Sequence, residues 1–287
     1  MNPKVSVLTP IYNTNPQYLR ECIESVLNQT FKDFEFLILN DSPNNKEIEK
    51  IVKEYAKHDK RIKYIKNAKN IGITPSRNKL LKMAKGEYIA IFDHDDISLP
   101  ERLEKEVEYL DNNPDVGVVS CNTEWFPKKY ITNHPVDNLE IKKALTHVNI
   151  VAHTAMMVRK SVLQKYNIEY EEEFSPAEDY MLCLRLVEYT MFHNIPEILL
   201  KYRFQENNTT NRLWDKMVNA DAMCRCYAIA KYPYLYELSC QKEHNQVTNY
   251  NKWIKIFDFV PFIKIKYRQH KTKYVLFGLI TLFTTKV

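Results

Sequence analysis

Glycine is scarce in this 287-residue chain: Gly72, Gly86, Gly117 and Gly278 are all it has. Neither a GxGxxG turn nor a GxxxxGK[ST] loop can be assembled from them, so a bound phosphate must be held by side chains or a cation. Cysteine supplies no framework either. Cys22, Cys121, Cys183, Cys224, Cys226 and Cys240 contain no CxxC pair and no His/Cys spacing suited to zinc, so reduced thiols in a cytosolic protein are the expectation. Cys224 and Cys226 fall in a helical-looking stretch rich in Ala and Met and read as packing residues. Met1-Asn2-Pro3-Lys4 runs straight into a strand-like segment without a signal peptide. Long apolar runs are missing: Tyr274 to Phe283 has ten residues, well short of the ~20 a spanning helix needs. A basic face on the body is missing too. The net charge of +5 is concentrated in residues 252 to 287, where eight Lys/Arg meet only Asp258. The nearly neutral remainder lacks the phosphate-matched surface of a nucleic-acid binder.

What is present is a repeating alternation in the first 120 residues. Val5-Ser6-Val7-Leu8 reads as a strand, and Asn15-Pro16 then opens a helix with Leu19, Cys22, Ile23, Val26 and Leu27 on one face. The pattern recurs at Phe34 to Leu39 and Ile48 to Tyr55, at Ile62 to Ile65 and Pro75 to Met83, and at Tyr88 to Phe92 and Pro100 to Leu110, before Val116 to Ser120. Such alternation implies an α/β fold with a mostly parallel sheet flanked by helices. From 121 to 215 the pattern loosens to a helix at 137 to 145, a strand-like Ala155-Met156-Met157-Val158 and a helix opening at Ser175-Pro176-Ala177-Glu178. Residues 1–215 are therefore expected to form one domain, regular over 1–120 and looser over 121–215. Residues 216–287 are expected to form a helical, basic C-terminal extension.

Ligands of open parallel sheets bind beyond the carboxyl ends of the strands. Those positions here carry Pro10-Ile11-Tyr12-Asn13, Asn40-Asp41-Ser42 and Asp93-His94-Asp95-Asp96. Clustered carboxylates repel one another unless a cation neutralises them, and hard oxygen ligands suit Mg²⁺ or Mn²⁺; a solvated acidic loop ahead of the Pro100 helix is the other reading. Tyr12 and Asp41 offer an aromatic face and an acceptor for a nucleobase, or else a strand-end core aromatic and a turn-forming Asx residue. Arg77 sits in the first turns of a helix, within reach of a diphosphate or simply on the surface. Ser175-Pro176-Ala177-Glu178 reads as a capping box that explains Glu178. Asp179 in the first helical turn is stabilised as a carboxylate, the state a general base requires.

Together these segments resemble the inverting glycosyltransferases of family 2, which have the GT-A fold. The resemblance runs from about residue 4 to 210 through Lys4 to Asn13, Ser25 to Phe31, Asn40-Asp41-Ser42, Asn70-Ile71-Gly72 with Arg77-Asn78, Gly86 to Asp96 with Pro100 to Leu103, and Glu178-Asp179. It implies a nucleotide-binding half (1–120) and an acceptor and catalytic half (121–215), with Pro10, Tyr12 and Asp41 holding the base, Asn13 in the same nucleotide-sugar site, Arg77 by the diphosphate and Asp93 facing the ribose. It also implies that Asp95 binds Mn²⁺ or Mg²⁺, that Asp179 is the catalytic base, and that His153-Thr154-Ala155-Met156-Met157 lines the sugar and acceptor region, with Glu178 and Arg203 on the diphosphate and acceptor side. Two positions depart from the family pattern. An acidic pair is replaced by Asn40-Asp41, and the family's Tyr-Arg-x-His element stands as Tyr202-Arg203-Phe204-Gln205.

The activity implied is transfer of a sugar from a nucleotide diphosphate, UDP above all, to a saccharide, with inversion giving a β-glycoside from an α-linked donor. The tail alternates Trp253, Ile254, Ile256, Phe257, Phe259 and Phe262 with Lys255, Lys264, Lys266 and Arg268, a composition that favours an anionic membrane surface. Peripheral attachment at the cytoplasmic membrane face and a lipid-linked oligosaccharide or lipopolysaccharide acceptor follow as expectations. Competing classes are a degenerate nucleotide-sugar-binding scaffold and a nucleotidyltransferase. A haloacid dehalogenase-type phosphotransferase fits less well, because Asp96 and Ile97 follow Asp95 where Thr or Val is expected.

Overall fold

A computed structural model of the chain describes residues 2–205 and 212–244, with the strand backbones at 252–255, 261–268, 271–276 and 280–286. The elements run β1 (Val5–Ile11), α1 (Pro16–Leu27), β2 (Phe34–Asn40), α2 (Lys46–His58), β3 (Ile62–Lys66), α3 (Ile73–Met83), β4 (Tyr88–Ile91), β5 (Ile97–Ser98), α4 (Arg102–Asn112), β6 (Val116–Phe126) and β7 (Tyr130–Ile131). They continue with α5 (Asn138–Ala144), β8 (Met157–Arg159), α6 (Lys160–Lys165), α7 (Glu178–Leu186), β9 (Met191–Arg203), α8 (Trp214–Lys231) and α9 (Pro233–His244).

Strands β1 to β9 form one mixed sheet in the order β3-β2-β1-β4-β8-β6-β9-β5, with β7 paired to β6. The β3-β2-β1-β4 half is parallel, as the alternating sequence requires. β8 then inserts antiparallel between β4 and β6, and β9 returns parallel to β6. The sheet is buried on both faces, because odd and even residues of its strands pack separately. Val5, Val7, Phe34, Phe36 and Ile38 join Leu19, Cys22, Ile23 and Val26 of α1. Leu8, Leu37 and Leu39 join Leu80 of α3 and the apolar face of α7. Each such fully buried side chain contributes roughly 1.5–3 kcal/mol, which makes the sheet a rigid platform for the loops at its strand ends.

Local chemistry sets the edges of that platform. Asn15 caps α1, its Oδ1 accepting from Gln17 N at 2.9 Å, with Pro16 at the first helical position. Gly86 admits no side chain, since a Cβ there would lie 2.5 Å from Ser6 N; its N–H instead donates to Ser6 Oγ at 2.8 Å. Buried Arg102 on α4 pairs with Glu106 at 3.0 Å and donates to Ile91 O at 3.0 Å, tying the helix to the end of β4.

Two sequence expectations are corrected. The helical reading of the C-terminal extension holds through His244, but Lys252–Lys255, Pro261–Arg268, Lys271–Leu276 and Ile280–Lys286 form an antiparallel four-stranded meander (β10 to β13). The physical reason is the alternation of Ile263-Lys264-Ile265-Lys266-Tyr267-Arg268, a period of two that suits a strand and not a helix. The second correction is Cys226, which is exposed, whereas Cys224 is buried. α8 and α9 pack on the second half of the sheet domain: Ala220, Cys224 and Ala228 enter its core, and Tyr232 OH donates to Leu184 O at 2.7 Å. Among the described residues no helix is long and apolar enough to cross a membrane. The side chains of the basic and aromatic tail lie outside the described residues.

Candidate functional site

The ends of β1, β2 and β4 lie side by side, so their following residues share one rim. After β1, Pro10 and Ile11 are buried, while Tyr12 is 48% exposed, an accessible ring instead of a core aromatic. Asn13 turns the chain with φ of 45°; its N–H donates to Ser42 Oγ at 3.2 Å, joining the β1 and β2 loops. Asn40 is fully buried and accepts from Ser42 N at 2.8 Å and Ser42 Oγ at 2.9 Å. Asn40 therefore shapes the turn that carries Asp41.

Asp41 is held by the chain itself. Its oxygens accept from Asn67 Nδ2 at 2.7 Å, Asn70 Nδ2 at 2.8 Å, Ile71 N at 2.9 Å and Gly72 N at 2.9 Å. These four donors match the lone-pair sites of a carboxylate. The acid thus clamps the loop that leads into α3, where Gly72 takes φ of 90°, a conformation open to glycine. A base N–H reaches Asp41 only by displacing one of these donors.

Arg77 projects from α3 into a network between the two halves. Its Nη1 lies 2.6 Å from Glu178 Oε1 and its Nη2 3.3 Å from Asp93 Oδ1, and its guanidinium sits 5.5 Å from the Tyr170 ring centroid. The charges of Asp93 and Glu178 outweigh burial and raise its pKa, so it is a permanent cation. The surface reading of Arg77 does not survive. Neither does the capping-box reading of Glu178: α7 begins at Glu178 with Ala177 in the cap position and no side-chain cap. Ser175 stands outside the helix, and the buried Glu178 carboxylate finds a stronger partner in Arg77 than in a backbone N–H.

Burial raises the pKa of Asp93, but the charge of Arg77, 3.3 Å away, more than offsets it, and the carboxyl ends below its usual value. Its backbone N–H donates to Thr154 Oγ1 at 3.1 Å, linking the β4 end to the 153–157 segment. His153 is buried, bonded to Tyr170 OH at 2.8 Å, and pushed down to about 3 by burial and by Arg77. It is a neutral imidazole, neither a base near neutral pH nor a counter-ion.

Asp95 and Asp96 crowd together with Asp93, which disfavours their charged forms. Burial, followed by Asp93, raises Asp95, and burial with both neighbouring acids raises Asp96 well above the carboxylate range. Asp96 Oδ2 and His94 Nδ1 are buried without a hydrogen-bond partner. The loop is braced by Arg203, whose N–H donates to Asp96 Oδ1 at 2.8 Å, whose Nε donates to Asp95 O at 2.7 Å, and which also pairs with Glu21. Gln205 Nε2 donates to Asp95 Oδ2 at 2.7 Å. Among the described residues no three His, Cys, Asp or Glu side chains converge into a metal cage. The arrangement fits a cation held by one carboxylate together with substrate phosphates, the usual situation of Mg²⁺.

Asp179 is raised to about 6, first by burial and then by the charge of Glu178, with Arg77 opposing. Its Oδ1 accepts from Tyr180 N at 2.7 Å, and Asn149 Nδ2 lies 3.4 Å from its Oδ2. A carboxylate poised near 6 removes a proton more readily than one near 4 and is still ionised at neutral pH. One polar chain thus runs Asp93–Arg77–Glu178 to the neighbour of Asp179. Tyr170, Asn149 and Asn67 were not singled out from the sequence, and Thr154 and Asn70 appeared only inside longer segments, with no role of their own. Asn67 and Asn70 follow the end of β3, and the same strand-end rule would have found them; the others had no local signal.

Comparisons with known proteins place the chain in a family and a fold. The sequence model of glycosyl transferase family 2 matches residues 6–166. An uncharacterized glycosyltransferase of Methanocaldococcus jannaschii is 42% identical over 214 residues, 70% of this chain and 71% of that protein. The O-antigen biosynthesis glycosyltransferase WbnJ of Escherichia coli is 30% identical over 238 residues, 79% of this chain and 88% of that protein. The crystal structure of S. aureus TarS 1-349 in complex with UDP-GlcNAc shares the fold with a TM-score of 0.62 at 16% identity, over 90% of this chain and 98% of that one. So does the mannosyltransferase PcManGT from Pyrobaculum calidifontis in complex with GDP-Man and Mn²⁺, with a TM-score of 0.58 at 14% identity, over 87% of this chain and 77% of that one. By the extent of the family match and the identity to its relatives, the chain belongs to glycosyltransferase family 2 and is a glycosyltransferase of the GT-A fold.

Proposed function

We propose that the protein is an inverting, metal-dependent glycosyltransferase that moves a sugar from a nucleoside diphosphate, UDP being favoured, to a hydroxyl of a saccharide acceptor. The observation that carries this reading is the polar chain Asp93–Arg77–Glu178, which runs from the donor rim at β4 to Glu178, the sequence neighbour of Asp179 at the start of α7. The donor stacks its base on the accessible Tyr12 ring beside Pro10, Asn13 and the Asp41 loop. Asp93 faces the ribose, and Arg77 remains a fixed positive charge near the diphosphate. Asp95 would hold a divalent cation, Mn²⁺ or Mg²⁺, which would supply charge neutralisation for the leaving diphosphate.

Asp179 takes the acceptor proton as the acceptor oxygen bonds to the anomeric carbon. The bond from that carbon to the diphosphate oxygen breaks on the opposite face, and a nucleoside diphosphate leaves. One displacement inverts the configuration, giving a β-glycoside from an α-linked donor. His153, neutral and held by Tyr170, and Arg203 border the sugar and acceptor side without taking a proton. TarS with UDP-GlcNAc supports a UDP-sugar donor, and WbnJ, in O-antigen biosynthesis, supports a surface-polysaccharide or lipid-linked acceptor. The basic, aromatic composition of residues 252–287 supports a peripheral position at the cytoplasmic membrane face.

The test is turnover with a panel of UDP- and GDP-sugars and Mn²⁺, using ¹H NMR of the product to read the anomeric configuration. Release of the nucleoside diphosphate with a β-product from an α-donor is expected. A retained configuration, or release of pyrophosphate, contradicts the reading.

A further inference from the structure

Asp95 is the one carboxylate the proposed cation depends on, so whatever fixes its orientation governs cation affinity. Two residues, one at the end of β9 and one just beyond it, do that work. Arg203 N and Nε hold Asp96 Oδ1 and Asp95 O, at 2.8 and 2.7 Å. Gln205, two residues on, places Nε2 2.7 Å from Asp95 Oδ2. Arg203 is anchored in turn by pairing with Glu21 and by lying 4.0 Å from the Tyr18 ring centroid. The backbone of the acidic loop is therefore fixed by an arginine and its side chain by a glutamine.

We propose that Gln205 is a positioning residue for the cation site: its amide N–H locks one oxygen of Asp95 and so presents the other to the divalent ion. The chemistry favours an amide in this place. Asp93, Asp95 and Asp96 already stand within four positions of one loop, so another carboxylate beside Asp95 would repel it. A lysine would neutralise Asp95 and compete with the cation. An amide donates a hydrogen bond while adding no charge. Outer partners of this kind are worth 10- to 100-fold in metal affinity. The inference rests on the reading of Asp95 as the cation's carboxylate.

The test is Mn²⁺ binding followed by electron paramagnetic resonance of free Mn²⁺ in the presence of UDP, with UDP binding in chelator measured alongside by calorimetry. Gln205→Met fills the same space without a donor, and Gln205→Asn keeps the amide but draws it back by one methylene. Both are expected to weaken Mn²⁺ binding at least ~10-fold while leaving chelator-state UDP affinity and the melting temperature close to wild type. Wild-type Mn²⁺ affinity in either variant, when Asp95→Ala abolishes it, overturns the role of Gln205 and leaves the cation reading intact. Equal weakening of UDP binding with and without Mn²⁺ also overturns it, because the residue would then be shaping the pocket as a whole. Unchanged Mn²⁺ binding in Asp95→Ala sinks the reading of Asp95 itself.

Discussion

Replacing Asp179 with Asn separates catalysis from stability. The substitution keeps the shape and keeps an oxygen to accept from Tyr180 N, now at 2.7 Å, but the amide cannot take a proton. Loss of a general base costs ~10²–10⁴-fold in turnover. Stability should move the other way. The carboxyl titrates at about 6 in the folded protein, against an ordinary value of 3.8. A group whose folded pKa is raised favours folding while protonated and loses that advantage as pH climbs between the two values. Full conversion of the difference gives roughly 3 kcal/mol. The side chain is half-buried, and solvent screening reduces the effect to about 1–2 kcal/mol. Asp179→Asn is therefore expected to be more stable than wild type at pH 8, with the difference disappearing below pH 4. Urea denaturation at the two pH values, beside a transfer assay, measures both. A variant that is inactive and also less stable at pH 8 refutes the argument, because Asp179 would then be a structural acid.

Glu178→Gln removes the charge that helps raise Asp179, so the acid limb of the kcat–pH profile should move below its wild-type midpoint near 6; a limb that stays or moves up contradicts the assignment. Asp41→Ala strips the partner from the N–H groups of Ile71 and Gly72 and from two asparagine amides; a loss of at least ~2 kcal/mol is expected, with nucleotide affinity falling in parallel, as read by denaturation and calorimetry. Arg102→Met leaves Glu106 buried without its partner and should cost about 3–5 kcal/mol with little change in kcat of the folded enzyme; a cost below about 1 kcal/mol would show that Glu106 is accommodated as a neutral acid.

The parallel half of the fold was legible because its signals are local. Asn15-Pro16 states a helix start, the apolar runs of β1, β2 and β4 alternate with amphipathic helices, and strand-end geometry then points to Tyr12, Asp41 and the Asp93–Asp96 loop. The second half was harder to read, for non-local reasons. β8 was legible as the strand-like Ala155 to Val158, but its antiparallel place is set by its neighbours β4 and β6, not by its own pattern. β9 contains Pro196 and several polar residues, which mask a strand that the pairing with β6 makes unambiguous. Glu178 matched a local motif but was taken by Arg77, 101 residues away in sequence. Asp41 looked free to meet a base, yet its donors come from 26 to 31 residues further on. Gln205 stood out as a departure, though only folding places it on Asp95.

The central claim is that Asp95 and a divalent cation together hold a nucleoside diphosphate in this site. Calorimetric titration of UDP with Mn²⁺, with Mg²⁺ and with chelator, repeated on Asp95→Ala, tests it most directly. Metal-dependent binding that disappears in the variant is the expected result; binding of equal strength with chelator, or in Asp95→Ala, would contradict it.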